Sequence, residues 1–158
     1  MSETPDGSTE SMVKVLLAQA DPVESVWAIG QGNDFYQLDN SPFFAYGLSW
    51  HDVVEARPPD ADHIPEYVQV VKKSGHRTIR LKFEAPVDEH PEFQWFLNKL
   101  KTQGCSYEGL NKRYFAVDIP PELDLESVRV MLISSGYMWE HADPTYEDLF
   151  GPDVATDS

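Results

Sequence analysis

The stretch Arg77-Thr78-Ile79-Arg80-Leu81-Lys82-Phe83-Glu84 decides the fold. Ile79, Leu81 and Phe83 fall on one side of an extended chain, and Thr78, Arg80 and Lys82 on the other. A few residues on, the period changes. His90-Pro91 opens a helix, because proline suits the first helical turn. Phe93, Phe96, Leu97 and Leu100 then follow the spacing of a buried helical stripe, and Gly104 closes it. Residues 105–109 and 112–119 read as a hairpin around Gly109-Leu110-Asn111. Pro120-Pro121 breaks the second strand, and Asp124 is placed to cap a second helix with the stripe Leu125, Val128, Met131 and Leu132. Gly136 ends that helix, and residues 137–141 form a last strand. The predicted order is β-α-β-β-α-β, the ferredoxin-like arrangement.

Upstream, the pattern is of short strands only. Residues 13–18, 24–29, 35–38, 52–56 and 67–71 are rich in β-branched and aromatic side chains. Gln31-Gly32-Asn33-Asp34 marks a turn, and residues 57–65, with three prolines, mark a loop. Five short strands with tight turns predict a small SH3-like bent sheet or barrel, with Trp27 and Trp50 expected in its core. The fold class is therefore α+β. The expected division is an acidic disordered leader over residues 1–12, a barrel-like unit over 13–73, the ferredoxin-like unit over 74–142, and an acidic, mostly loose tail over 143–158. Tyr146, Leu149 and Phe150 are the tail residues suited to docking on the body.

Charge narrows the function. The chain has 158 residues and a formal net charge of −15. Residues 13–71 hold nine acids against Lys14 and Arg57, whereas residues 72–142 hold ten of each sign. Nucleic acid and acidic membrane surfaces are disfavoured partners for such a chain, and a basic protein is favoured. The single cysteine, Cys105, excludes an intramolecular disulfide and a cysteine-rich metal site. With no apolar run of spanning length and a polar, acidic start, the natural compartment is the cytoplasm. The five histidines are scattered, no phosphate-binding loop or nucleophile elbow occurs, and no cofactor is implied.

Two segments carry the candidate binding residues. Asp39-Asn40-Ser41-Pro42-Phe43-Phe44-Ala45 is either a strand-to-turn corner plugged by its phenylalanines or the rim of a groove presenting Asp39 and Asn40 beside Phe43 or Phe44. Lys72-Lys73-Ser74-Gly75-His76-Arg77-Thr78-Ile79-Arg80-Leu81-Lys82 is the chain's one basic cluster. His76, Thr78, Arg80 and Lys82 would lie on an open sheet face that takes a ligand, with Ser74 a further candidate beside them, or its bases would be counter-ions docking the acidic first half. An RNA-reading face is disfavoured, since residues 112–118 lack the required glycine and Asp118 has the wrong sign. Cys105 is expected to pack as a small apolar group. Trp95 falls off its helix's apolar stripe and is a candidate interface anchor, or a partner for Tyr146 or Phe150.

These residues also carry a resemblance. Val13 to Leu16, Glu24-Ser25-Val26-Trp27, the Asp39 to Ala45 segment, His51-Asp52-Val53-Val54 and Ser74 to Arg80 together resemble an uncharacterised bacterial family known only as a domain of unknown function. His51 stands where that pattern usually has glycine. The resemblance implies a bacterial cytosolic origin and no activity. The leading expectation is thus a non-enzymatic protein that binds a basic protein partner, as immunity or inhibitor proteins do. The alternatives are a sensor holding a small anionic ligand between the two units with Asp39, Asn40, His76 and Arg80, and a hydrolase-like enzyme using Asp39 or His76 as general base.

Overall fold

The structure is a computed structural model describing residues 12–151. The leader, apart from Met12, and the tail beyond Gly151 lie outside the described residues. Strands β1 (Met12–Leu17), β2 (Glu24–Gly32), β3 (Phe35–Leu38), β4 (Val53–Arg57) and β5 (Glu66–Lys72) form a closed barrel. Neighbours are antiparallel, and β1 closes on β5 in parallel through Leu16 and Glu66. Irregularities at Gly30/Gly32 in β2 and at two points along β4 give the bending that lets so few strands close.

Alternation along β2 places Val26 and Ala28 inside with Val15, Leu17, Leu38, Val54 and Ala56. Trp27 therefore points outward and is 42% exposed, correcting its expected place in the core. Two residues of opposite parity cannot share one face of a strand, and the smaller pair suits the narrow barrel. Trp50 is half-buried and also lies outside the barrel core.

The second unit runs β6 (Arg77–Lys82), α1 (Pro91–Gln103), β7 (Ser106–Gly109), β8 (Tyr114–Ile119), α2 (Leu125–Ser135) and β9 (Met138–Asp143), with sheet order β7-β8-β6-β9. The protein is thus α+β, a closed five-stranded barrel followed by a second sheet with helices. Pro91 opens α1 and Gly104 ends it at φ 116°, a left-handed conformation in which a side chain would also crowd Leu123. The expected stripe of α1 is buried, with Phe93, Phe96, Leu97 and Leu100 against Ile79, Leu81, Phe83, Phe115, Val117 and Ile119. Cys105 belongs to this core. Asp124 stands at the N-cap of α2 without capping through its side chain, and instead accepts a bond from Ser127 Oγ.

Beyond β9 the chain forms a short helix, α3 (Tyr146–Phe150), opened by a reciprocal capping box between Thr145 and Asp148. This corrects the loose tail over the part described. Tyr146 and Phe150 pack around His141, with ring centroids 5.7 and 6.2 Å away, and not on Trp95.

Candidate functional site

The fourteen residues between β3 and β4, Asp39 to Asp52, lie between the barrel and the sheet face away from α1 and α2. Two charged side chains clamp them from opposite sides. Glu24, at the start of β2, accepts backbone N–H bonds from Phe43, Phe44 and Ala45 at 2.9, 2.7 and 2.8 Å. Arg80, in the middle of β6 and 1% exposed, donates to the carbonyls of Pro42 and Ala45. Its guanidinium also lies over the Tyr46 ring and 3.6 Å from Glu140. A carboxylate reading amides and a guanidinium reading carbonyls fix one short loop at both ends of its peptide dipoles.

The other motif residues serve the same joint. Asn40 accepts from Trp27 N at 2.8 Å and donates to Glu108 at 3.2 Å. Asp39 accepts from Trp50 Nε1 at 3.3 Å. Phe44 stacks on Tyr114, whose hydroxyl donates to the Phe43 carbonyl. Thr78, 1% exposed, shares a 2.7 Å hydroxyl contact with Ser49, which donates to Asp143 at 2.6 Å. Lys73 bridges Asp143 at 2.6 Å and Asp52. Burial opposes the Lys73 charge, yet its bonds to Asp143 and Asp52 outweigh that and raise its pKa. The face predicted to be open at Thr78 and Arg80 is therefore covered, because a second unit packs on it.

One margin of the joint stays accessible. Ser74 donates to the Trp50 carbonyl at 2.8 Å and accepts from the His76 amide. His76 Nδ1 lies 2.9 Å from both oxygens of the buried Asp118, leaving Nε2 without a protein partner among the described residues. His51 stacks on Trp50 at 4.2 Å and meets the His76 ring edge-on at 5.0 Å. Burial pushes the Asp118 carboxyl up, against the pull of His76, His51 and Arg77. Gln37, His51, Lys72, Lys73, Ser74 and His76 line a cleft of about 320 Å³ here. Lys73 faces Asp52 and Asp143 and His76 faces Asp118, so these charges are already paired, while Lys72 forms no ion pair among the described residues.

Asp39, Asn40, His76 and Arg80 do not converge on one opening. Asp39 and His76 each touch Trp50, and no hydrogen bond joins them. Trp95 is 63% exposed on α1, where Lys99 lies over its ring. Burial, with Asp118 nearby, pushes the Cys105 thiol up to about 11, so it is no nucleophile near neutral pH. No group of three metal-ligating side chains occurs among the described residues. No helix among them is long and apolar enough to cross a membrane.

Sequence reasoning passed over Glu24, Asp118 and Asp143 as ionic parts of the joint, whereas Lys73 belonged to the basic cluster read as counter-ions or as a ligand face. A signal existed for Asp118, a carboxylate inside an otherwise apolar strand, but none for Glu24, whose partners lie some twenty residues away.

The family model described as "Domain of unknown function (DUF4265)" matches residues 24–140, and the chain belongs to that family. No curated protein matches it. Among solved structures, the chain is similar to a hypothetical protein from Neisseria gonorrhoeae, at a TM-score of 0.62 and 17% identity. The match covers 85% of this chain and 94% of that one. At such identity the likeness speaks for the fold alone.

Proposed function

We propose that the protein is a non-enzymatic, acidic binding protein of the bacterial cytoplasm that engages a basic protein partner, in the manner of an immunity or inhibitor protein. One observation carries the reading. Much of the chain's basic cluster is engaged within the protein, with Lys73 on Asp52 and Asp143, His76 on Asp118, and Arg77 and Arg80 on backbone carbonyls, while Lys72 and Lys82 stay exposed. With those charges committed internally, the chain's net charge of −15 favours a partner of opposite sign. Asp21, Asp34, Asp60 and Asp62 are exposed on the barrel. The strand order β7-β8-β6-β9 in a β-α-β-β-α-β chain supports reading the second unit as ferredoxin-like and the barrel as SH3-like, two scaffolds on which sites rest without prescribing chemistry.

Capture on the immobilised chain from its own cells is the test. Basic proteins should be enriched and released as salt approaches about 1 M, where the Debye length falls to about 3 Å. Capture of acidic proteins, or binding indifferent to salt, removes the reading.

A second reading has one observation in its favour. Lys72 is exposed at the His51–His76 cleft and forms no ion pair among the described residues. A small anionic ligand bound there would raise the unfolding temperature, by an amount that grows with the logarithm of its concentration above Kd. A screen of inorganic phosphate and small carboxylates that leaves the melting temperature unmoved dismisses it.

A further inference from the structure

A different cleft, of about 460 Å³, opens where the clamped loop, β9 and α3 meet. Tyr46 comes from the loop, Trp139, Glu140 and His141 from β9, and Tyr146 and Glu147 from α3. Three aromatic side chains and two carboxylates on one opening are an unusual combination, and Tyr46 and Tyr146 are each more than half exposed. Aromatic rings left in water at a concave site gain from a partner that covers them, and carboxylates beside them select the partner's sign. An apolar partner would strip water from Glu140 and Glu147 without replacing it, and an anion would be repelled by both.

The cleft's edges already show the chemistry that satisfies both demands. The Arg80 guanidinium lies 5.0 Å from the Tyr46 ring centre while approaching Glu140, and Arg129 lies 4.8 Å from the Phe150 ring centre while paired to Glu126. Both cations are held from the protein side. Tyr46 donates to both Glu140 oxygens at 2.9 and 3.0 Å, which fixes the ring and carboxylate against each other. With Glu140 set against Arg80, Glu147 remains as a carboxylate with no ion pair among the described residues. Burial and the nearby Arg129 push the His141 imidazole down, so this side of the cleft stays neutral at physiological pH.

We propose that the cleft between Tyr46, Trp139, Tyr146 and Glu147 receives an arginine or lysine side chain of the basic partner. This inference rests on the basic-partner reading above for its occupant, and on the cleft's own geometry for its place. The cation would lie against the aromatic rings, drawn by their quadrupoles, with Glu147 as its counter-ion.

Titration of the isotopically labelled protein with a blocked oligo-arginine peptide tests it, with the matched oligo-glutamine peptide as control. Saturable shifts of the Trp139 indole N–H and the Tyr146 and Glu147 amides are expected with oligo-arginine only. Glu147→Gln lies at the surface and is expected to weaken binding about threefold with unchanged melting, and Tyr146→Ala to weaken it as much with a lowered melting temperature, since that ring also packs on His141 and Phe150. Shifts centred on Asp60 and Asp62, or unchanged affinity in both variants, overturn this site and leave the basic-partner reading standing. No saturable binding anywhere also overturns the site. Failure of salt-dependent capture, with the cleft still binding oligo-arginine, removes the partner reading alone.

Discussion

His51 occupies a left-handed backbone conformation at φ 73°, which costs most L-residues roughly 1 kcal/mol or more. That is the conformation glycine would supply at the same position in the resembling family pattern. The turn survives here because the imidazole stacks on Trp50 and meets His76. Strain and stacking can be separated by two substitutions. His51→Ala keeps the strain and loses the ring, while His51→Gly loses both. The glycine variant should be the more stable of the two by about 1 kcal/mol in urea unfolding. Equal stabilities would mean that the backbone is not strained there.

Among the elements, the residue that follows β5, the last residue of β9 and the entry to β4 are tied together as Lys73, Asp143 and Asp52. The Lys73 pKa is raised on folding, so its contribution is complete below the unfolded value near 10.4 and fades as pH climbs through the folded one. Wild-type stability should therefore fall in that alkaline window, and Lys73→Met should flatten the fall without abolishing it. Tyr67 and Tyr114, raised mainly by burial, lose stability in the same direction. Identical alkaline slopes in wild type and variant would show that the bridge carries no linkage.

The same elements show what a single sequence discloses. The helical stripe of α1 and the alternation of β6 were legible because they are local and periodic. The phase of β2 was not, since period two fixes which residues share a face but not which face is buried. Nor was the burial of Thr78 and Arg80. A polar stripe on a strand reads as solvent-facing unless the unit that covers it is known, and the covering residues here lie 29 and 38 positions earlier. The predicted link between the two halves through the basic cluster agrees with where Lys73 and Arg80 lie, although Arg80 binds carbonyls more than carboxylates.

For the whole molecule, the residues of the two most distinctive segments are spent on joining barrel to sheet. Glu24 and Arg80 hold the intervening loop, Asn40 ties it to Trp27 and Glu108, and Ser49, Thr78, Lys73 and the aspartates close the far side. On the proposed reading, recognition falls to the exterior, where charge and exposed aromatics remain. Asn40→Ala separates these roles, because Asn40 belongs to the motif and stands apart from the Tyr46–Trp139 cleft. Measuring this variant's unfolding free energy alongside its affinity for oligo-arginine is the most direct test. A loss of about 2 kcal/mol in stability, from two broken hydrogen bonds, with affinity unchanged is the predicted result. Unchanged stability with lost affinity would contradict it and return the motif to the status of a binding site.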